Sequence, residues 1–238
     1  MSRVVLVTGS TSGIGRAVAE RCAARGDTVV FNSSRSVAEG ERLAAATPGS
    51  FYVRGSIADE PDAIVASVLE RTGRLDVLVN NAGTTRVIAH RDLAAATRDV
   101  WREIFEVNVF GTWAISVAAL DALRSARGSI VNVSSLAGVR ATGSSIPYAA
   151  SKAALNHVTM LLAKVVGPEV RVNAVAPGLV DTPWTADWDT VRTFVSATAP
   201  LRRSARPEDV AEVVLDLADA AYVTGQVLVV DGGLGLVT

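Results

Sequence analysis

The chain has 238 residues, 49% of them apolar, and its 23 basic and 24 acidic side chains leave a net charge of -1. This length suits one large α/β domain with a substantial core. The near-neutral charge provides no general attraction to nucleic acid or to an anionic membrane, so we expect neither as a partner. Charged residues interrupt every apolar run before the roughly 20 residues that a membrane-spanning helix needs. A strand-like run begins at Val4, which leaves no room for a signal peptide, and we expect a cytoplasmic protein.

Strand-like runs alternate with helical patterns along the chain. The runs that we predict as strands are 4–7, 28–31, 77–80, 129–133, 171–174 and 226–230. They are continuously apolar, which is typical of parallel strands covered by helices on both faces. We therefore predict the α/β class, with a single doubly wound Rossmann-type domain whose parallel sheet is flanked by helices. No repeat or linker divides the chain, so this domain spans 1–238 and includes an expected substrate loop at 178–206.

A glycine-rich turn follows the first predicted strand directly. Residues 8–15 read TGSTSGIG and lead into a helical pattern. Glycines allow a tight turn that approaches a pyrophosphate closely, and the free N–H groups and positive end of the next helix favour its charge. An ordinary strand-to-helix turn is the alternative, but the strand before and the helix after it favour dinucleotide binding.

Tyr148 and Lys152 lie four positions apart in an alanine-rich helical pattern, and on a helix they share one face. We expect the lysine ammonium to lower the pKa of the tyrosine from its usual value near 10, which would make Tyr148 a general acid or base. Ser135 follows the predicted strand 129–133, at the sheet edge where a doubly wound fold places ligands. Its hydroxyl is expected to bond the substrate oxygen.

Two further segments carry asparagines. Asn108 lies inside an apolar helical stretch, where a buried amide needs partners, and bonding to a helix carbonyl alone is the alternative to a functional role. Residues 80–83 read NNAG and close the third predicted strand, where simple turn chemistry is the alternative. His90 and His157 form no cluster with metal-ligand spacing, so we predict no metal.

In their order and spacing these motifs resemble the short-chain dehydrogenase/reductase family, from Thr8 through the DGG at 231–233, with a likeness to its 3-oxoacyl-carrier-protein reductases. The resemblance implies that Gly9, Gly13 and Gly15 hold the pyrophosphate, that 80–83 supports the sheet and borders the adenosine, and that 177–178 lies beside the nicotinamide. The residues expected at the cofactor are Gly9, Ser12, Ile14, Ser33, Ser34, Arg35, Ser56, Ile57, Asn81, Ala82, Gly83, Tyr148, Lys152, Pro177, Gly178, Val180 and Thr182.

The same resemblance implies a catalytic set of Asn108, Ser135, Tyr148 and Lys152. In that family the lysine also bonds the nicotinamide ribose, and the asparagine holds a water in a proton relay. Hydride then passes between a nicotinamide cofactor and a carbonyl carbon, with Tyr148 as proton donor in reduction. A non-catalytic dinucleotide-binding regulator is the rival from another class.

The segment after the second predicted strand bears on the choice of cofactor. Ser33 stands where NAD-preferring relatives carry an aspartate for the ribose 2′-hydroxyl, and Ser34 and Arg35 follow it. No carboxylate repels a 2′-phosphate, and Ser33, Ser34 and Arg35 are expected to bind it, so NADP(H) is favoured; an Arg35 that only points into solvent is the alternative, and NAD(H) and a role as an NAD-dependent alcohol dehydrogenase stay open. Residues 53–57 also lack the aspartate that relatives use near the adenine, and Ser56 and Ile57 are expected to replace it.

The substrate is a small-molecule carbonyl or alcohol that the sequence does not identify further. Trp184, Trp188, Val139 and Ile146 are expected to wall an apolar pocket. Reductases of carrier-protein substrates use basic residues near two helix ends, and the chain keeps only Arg127 there. The apolar helical stretches 105–123 and 148–166 favour a homo-oligomer, a dimer or a tetramer.

Overall fold

The computed structural model describes residues 2–237, and within them one sheet contains seven parallel strands in the order β3-β2-β1-β4-β5-β6-β7. The strands are β1 Val4–Val7, β2 Thr28–Ser33, β3 Phe51–Arg54, β4 Val77–Asn80, β5 Ser129–Val133, β6 Arg171–Pro177 and β7 Val227–Val230. The helices are α1 Gly13–Ala24, α2 Val37–Ala45, α3 Pro61–Thr72, α4 Arg98–Phe105, α5 Thr112–Ala126, α6 Ile146–Val166, α7 Asp189–Thr198 and α8 Pro207–Asp219. The predicted doubly wound fold is confirmed.

The sheet has apolar layers on both faces, which explains why its strands are continuously apolar. In β1, Val5 and Val7 join a cluster with α1 and α8 on one face. Val4 and Leu6 join a second cluster with α3, α5 and α6 on the other. Alternate side chains of one strand therefore enter two different cores, and neither face is left for solvent.

Strand β3 was absent from the predicted strands. It lies at the sheet edge, pairs with β2, and runs from half-buried Phe51 and Tyr52 through buried Val53 to exposed Arg54. Its apolar run is short, only Phe51 to Val53, and this edge strand is only partly covered. Its aromatic and β-branched residues were the signal available.

The central helices α4 and α5 are joined by a π-helical turn, Glu106–Gly111. Among the described residues this stretch, Arg98–Ala126, is the one that is long and apolar enough to cross a membrane by length and composition alone. In the fold, Ile115, Ala119 and Leu123 pack into the core beside the sheet. One face of this stretch therefore packs against the sheet.

The strand order reverses between β1 and β4, which are neighbours in the sheet. Loops that leave the carboxyl ends of these strands diverge to opposite sides and open a crevice between them. The segment 178–206 borders this edge and contains a short 3-10 turn, Pro183–Thr185, and helix α7. The sequence thus brings its glycine loop and its expected catalytic residues to one edge of the sheet.

Candidate active site

A cleft of about 1310 Å³ opens at the carboxyl edge of the sheet. The expected cofactor residues that line it are Gly9, Ser12, Ile14, Ser33, Ser34, Arg35, Ser56, Ile57, Asn81, Ala82, Gly83, Tyr148, Lys152, Pro177, Gly178, Val180 and Thr182. Ser135 also lines the cleft, whereas the Asn108 side chain is fully buried behind it. The structure thus brings these residues and three of the four expected catalytic ones together, whereas Gly15, which was also expected at the pyrophosphate, is buried in α1 and does not line the cleft.

The glycine loop is held in place by the segment that follows β4. The Asn81 side-chain amide donates to the carbonyls of Thr8 and Gly9 at 3.0 and 2.9 Å. Gly9 adopts φ +62°, and a Cβ there would lie 2.9 Å from the Cα of Ala82. A side chain at position 9 is therefore excluded both by backbone conformation and by space.

The beginning of α1 is open to an anion. The side chain of the N-cap residue Ser12 caps none of the free N–H groups of the first turn, and that turn carries no acidic side chain. The positive end of the helix dipole thus faces the cleft without a competing negative charge. The loop and the helix end fit the pyrophosphate of a dinucleotide.

Tyr148 and Lys152 lie one turn apart near the beginning of α6, with Ser135 directly across at the end of β5. The Ser145 hydroxyl caps α6 by accepting from the Tyr148 N–H at 3.3 Å, which fixes where the helix begins. The Lys152 Nζ donates to the Val133 carbonyl at 2.9 Å and lies 5.8 Å from the centroid of the Tyr148 ring. The ammonium is therefore anchored to β5 beside the tyrosine.

The prediction that Lys152 lowers the pKa of Tyr148 is wrong. Burial raises the pKa of Tyr148 above its usual value near 10, and only a hydrogen bond with the Ser135 side chain opposes that rise. Burial also lowers the pKa of Lys152, to about 8. Tyr148 is consequently protonated at neutral pH, which suits a proton donor.

Asn108 lies in the π-helical turn rather than in a regular helix. Its Oδ1 accepts from the Thr84 N–H at 2.8 Å, and its Nδ2 donates to the Thr84 carbonyl at 2.9 Å and to the Ser151 Oγ at 3.0 Å. The Ser151 hydroxyl in turn donates to the Tyr148 carbonyl at 2.7 Å. The alternative that Asn108 bonds only a helix carbonyl is wrong: this side chain ties the loop after β4 to the first turn of α6.

The last residue of β2, Ser33, and the two residues after it present three polar side chains to the cleft. Ser34 and Arg35 are exposed, and within residues 2–237 the Arg35 guanidinium has no hydrogen-bond or ion-pair partner. Ser33 is buried, and its Oγ lies 2.9 Å from the hydroxyl of Tyr52 on β3. Sequence reasoning missed Tyr52 because it placed no strand at 51–54.

The other half of the cleft is apolar and aromatic. Trp184 and Trp188 line it as expected, joined by Val191 and Phe194 of α7, which sequence reasoning did not single out. The Trp184 ring lies 6.4 Å from the Tyr148 ring, centroid to centroid. Val139 and Ile146 were expected to line this pocket and do not.

The correction for these two residues has a simple geometric cause. Val139 ends the short turn after β5 and Ile146 begins α6, and each side chain is more than a third exposed on the protein surface. Proximity in sequence to Ser135 and Tyr148 did not place them on the same side as the cleft.

The chain is similar to known proteins over nearly its whole length. Residues 9–235 match the protein family described as enoyl-(acyl carrier protein) reductase. A Streptomyces violaceoruber protein named as ketoacyl reductase 2 of the granaticin polyketide synthase is 59% identical over 98% of this chain and 96% of its own. A 3-oxoacyl-(acyl-carrier-protein) reductase of Thermotoga maritima is 37% identical over 98% of this chain and 97% of its own.

A solved structure from Burkholderia xenovorans, described as a short-chain dehydrogenase/reductase, superimposes with a TM-score of 0.91 at 36% identity, covering 99% of this chain and 98% of that one. Both the sequence and the fold are therefore shared over nearly the whole length. The chain belongs to the short-chain dehydrogenase/reductase family, as an oxidoreductase of its 3-oxoacyl-carrier-protein reductase-like branch that acts on the carbonyl and alcohol pair with a nicotinamide dinucleotide.

Proposed function

We propose that this chain is an NADP(H)-dependent ketoreductase in which Tyr148 delivers the proton to the carbonyl oxygen. The observation that carries the proposal is the placement of Tyr148, Ser135 and Lys152 in one cleft with the glycine loop. When bound, the reduced nicotinamide supplies a hydride to the carbonyl carbon. Tyr148 and Ser135 provide two hydroxyls toward one point, where the negative charge on the substrate oxygen develops.

Lys152 and Asn108 complete this proposal in different ways. The Lys152 Nζ uses one of its three protons on Val133 and lies 3.7 Å from where a Cβ of Gly83 would stand, so no side chain separates it from the loop after β4. In this proposal its remaining protons bond the nicotinamide ribose, the role that the family resemblance implies. Asn108 acts through its bonds to Thr84 and Ser151, and the water-relay role implied for it by family resemblance belongs to this proposal.

The preference for NADP(H) rests on charge at the end of β2. Within residues 2–237, Arg35 is a cation with no counter-ion, and the exposed Ser34 beside it offers a hydroxyl donor. A phosphate monoester gains charge-assisted hydrogen bonds from such a pair, whereas a ribose hydroxyl gains little. Ser33 brings no carboxylate that would repel the phosphate.

The proposed substrate is a ketoacyl compound with an apolar body. Two features support this choice: the 59% identity to a protein named as a polyketide ketoacyl reductase, and the aromatic wall formed by Trp184, Trp188 and Phe194. Trp184 is 46% exposed, so its ring face is open to a planar or apolar group beside Tyr148. A small polar substrate would leave this wall in contact with water.

The wall is tested by Trp184→Leu, with Tyr222→Leu as the matched control because Tyr222 is fully exposed outside the cleft. We expect the KM for a bicyclic ketone such as 2-tetralone to rise about five- to tenfold in Trp184→Leu. The control should leave that KM unchanged. An equal KM in wild type and Trp184→Leu would remove Trp184 from substrate binding.

The activity itself is tested by following NADPH and NADH oxidation with two probes, 2-tetralone and an N-acetylcysteamine thioester of acetoacetate. Carbonyl reduction with NADPH supports the proposed function. Turnover with NADH alone would favour the NAD-dependent alcohol dehydrogenase instead. Tight cofactor binding without turnover of any ketone or alcohol would favour a dinucleotide-binding regulator.

We also propose that the chain assembles as a dimer or tetramer in the cytoplasm. Phe110, Trp113 and Val117 are exposed along α5 and the turn before it, and Leu161 and Val165 are exposed on α6. Large apolar side chains exposed on two helices are costly to leave in water when they form a patch. A monomeric mass by light scattering at micromolar concentration would contradict assembly through this face.

A further inference from the structure

The end of β2 is tied to the edge strand β3 by two side-chain contacts that meet at one atom. The Tyr52 hydroxyl lies 2.9 Å from the Ser33 Oγ and donates to the Ser33 carbonyl at 3.0 Å. Ser33 lines the cleft, while Tyr52 is not among the residues that line it. Tyr52, which lies outside the cleft, thus holds the side chain of Ser33. Ser33 is the residue that stands where NAD-preferring relatives carry their aspartate.

Counting protons shows which hydroxyl donates in the contact between Ser33 and Tyr52 when Tyr52 donates to the Ser33 carbonyl. A tyrosine hydroxyl has one proton, and the Ser33 carbonyl can only accept. When Tyr52 gives its proton to that carbonyl, the short contact between the two hydroxyls requires the Ser33 hydroxyl to donate to Tyr52. The Ser33 Oγ then has no proton left for the cleft and offers it only lone pairs.

This state of Ser33 discriminates between the two cofactors. An oxygen that can only accept forms a hydrogen bond with a ribose 2′-hydroxyl, but it cannot donate to a 2′-phosphate and its lone pairs face that group's negative charge. Ser33 therefore opposes the preference that Ser34 and Arg35 create. Ser34 and Arg35 are left as the donors for the phosphate.

The position of the Tyr52 ring is built into the fold. Gly40 lies in the middle of α2, and a Cβ there would lie 2.3 Å from the Tyr52 Cε2. A mid-helix glycine lowers helix stability by roughly 0.5–1 kcal/mol relative to alanine, so the room that it leaves for this ring has an energetic cost. The Ser33 carbonyl also accepts from the Gly55 N–H at 3.2 Å and keeps a partner without Tyr52.

We propose that Tyr52 is a positioning residue for cofactor selection: its hydroxyl holds the Ser33 hydroxyl as an acceptor toward the cleft and so weakens discrimination in favour of the 2′-phosphate. The proposal rests on the proposed function, which places the adenosine ribose beside Ser33. Removing the Tyr52 hydroxyl frees the Ser33 proton for the phosphate. The chain is then a more selective NADPH enzyme than its wild type.

The test is a double-mutant cycle on the full chain with Tyr52→Phe, Ser33→Ala and the combined variant. Dissociation constants for NADPH and NADH are measured by fluorescence titration, and turnover of 2-tetralone at saturating NADPH is followed on the same samples. We expect the ratio of the NADH to the NADPH dissociation constant to rise about five- to tenfold in Tyr52→Phe. In the Ser33→Ala background the same change should leave the ratio within about twofold, because the group through which Tyr52 acts is gone.

The inference would be overturned if Tyr52→Phe left the ratio of the NADH to the NADPH dissociation constant unchanged or lowered it. It would also be overturned if Tyr52→Phe raised this ratio equally in the Ser33→Ala background, because Tyr52 would then act through a group other than the Ser33 hydroxyl. Either result in a protein that binds NADPH and reduces the ketone leaves the proposed function intact. A wild type that binds neither cofactor would overturn both.

Discussion

The two ends of the cleft differ in how many of their polar groups have hydrogen-bond or ion-pair partners within the protein. At the catalytic end, Asn108, Ser151 and Lys152 are buried, and each is hydrogen-bonded to a neighbouring element. At the end of β2, Ser34 and Arg35 are exposed, and the guanidinium is unpaired among the described residues. The geometry for proton transfer is thus set by the folded core, whereas the choice of cofactor depends on surface groups that can change without disturbing it.

We expect the largest loss of activity from a substitution at the catalytic end, Tyr148→Phe. The ring remains and the transferable proton is lost, so we expect turnover to fall by roughly 10²- to 10⁴-fold while cofactor affinity stays near that of wild type. Single-turnover oxidation of NADPH and a fluorescence titration of the same sample measure the two quantities. Near wild-type turnover would remove Tyr148 from the mechanism.

At the end of β2, we expect a substitution to change the cofactor preference but not the rate of the reaction. In Ser33→Asp the new carboxylate accepts from a ribose 2′-hydroxyl and repels a 2′-phosphate. We expect the variant to prefer NADH, a swing of about 100-fold in the ratio of the two kcat/KM values. The kcat with each saturating cofactor should stay within about twofold of wild type. A variant that loses kcat along with its preference would show that the two ends are not separable.

A smaller effect concerns stability, because burying the Lys152 charge is unfavourable. The pKa of Lys152 is lowered to about 8, so above that pH the unfolded chain binds more protons than the folded one and stability rises with pH up to the unfolded value near 10.4. Below pH 8 the cost of the buried charge is fully present. Lys152→Met should therefore raise the free energy of unfolding at pH 7 by about 2 kcal/mol, and this gain should shrink between pH 8 and 10.5.

Urea denaturation at pH 7 and at pH 10 measures this difference. Lys164→Met is the matched control, since Lys164 is the chain's one other lysine, on the same helix but exposed. The control should change stability little at either pH. A gain in Lys152→Met that is the same at both pH values would mean that the buried charge is not its source.

The sequence predicted features whose residues are close together in the chain, and missed those that depend on distant residues. The glycine loop was predictable because the strand, the turn and the helix that define it are consecutive. The partners of Asn108 were not, since Thr84 and Ser151 lie 24 and 43 positions away in the chain. The spacing of Tyr148 and Lys152 placed both on one helix face but carried no information on burial, which sets the direction of both pKa shifts.

The end of β2 illustrates the same limit. Ser33 and Arg35 were identified from their position after a strand. The control of Ser33 by Tyr52 requires a contact across two strands, one of which is a short edge strand that was not predicted. Tyr52, on which the further inference rests, was therefore missed in the sequence.

The measurement that tests the account most directly is a competition in one tube between the two reduced cofactors for one ketone. In the first experiment, 2-tetralone is offered equal concentrations of NADPH and of NADH in which both C4 hydrogens of the nicotinamide are deuterium. In the second experiment the label is on NADPH instead, so that the isotope effect cancels between the two. The deuterium content of the carbinol carbon then reports both hydride transfer to the carbonyl and the ratio of the two kcat/KM values. We predict that at least about ten product molecules take their hydride from NADPH for each one that takes it from NADH. Equal use of the two cofactors, or a product without deuterium in both experiments, would contradict the account.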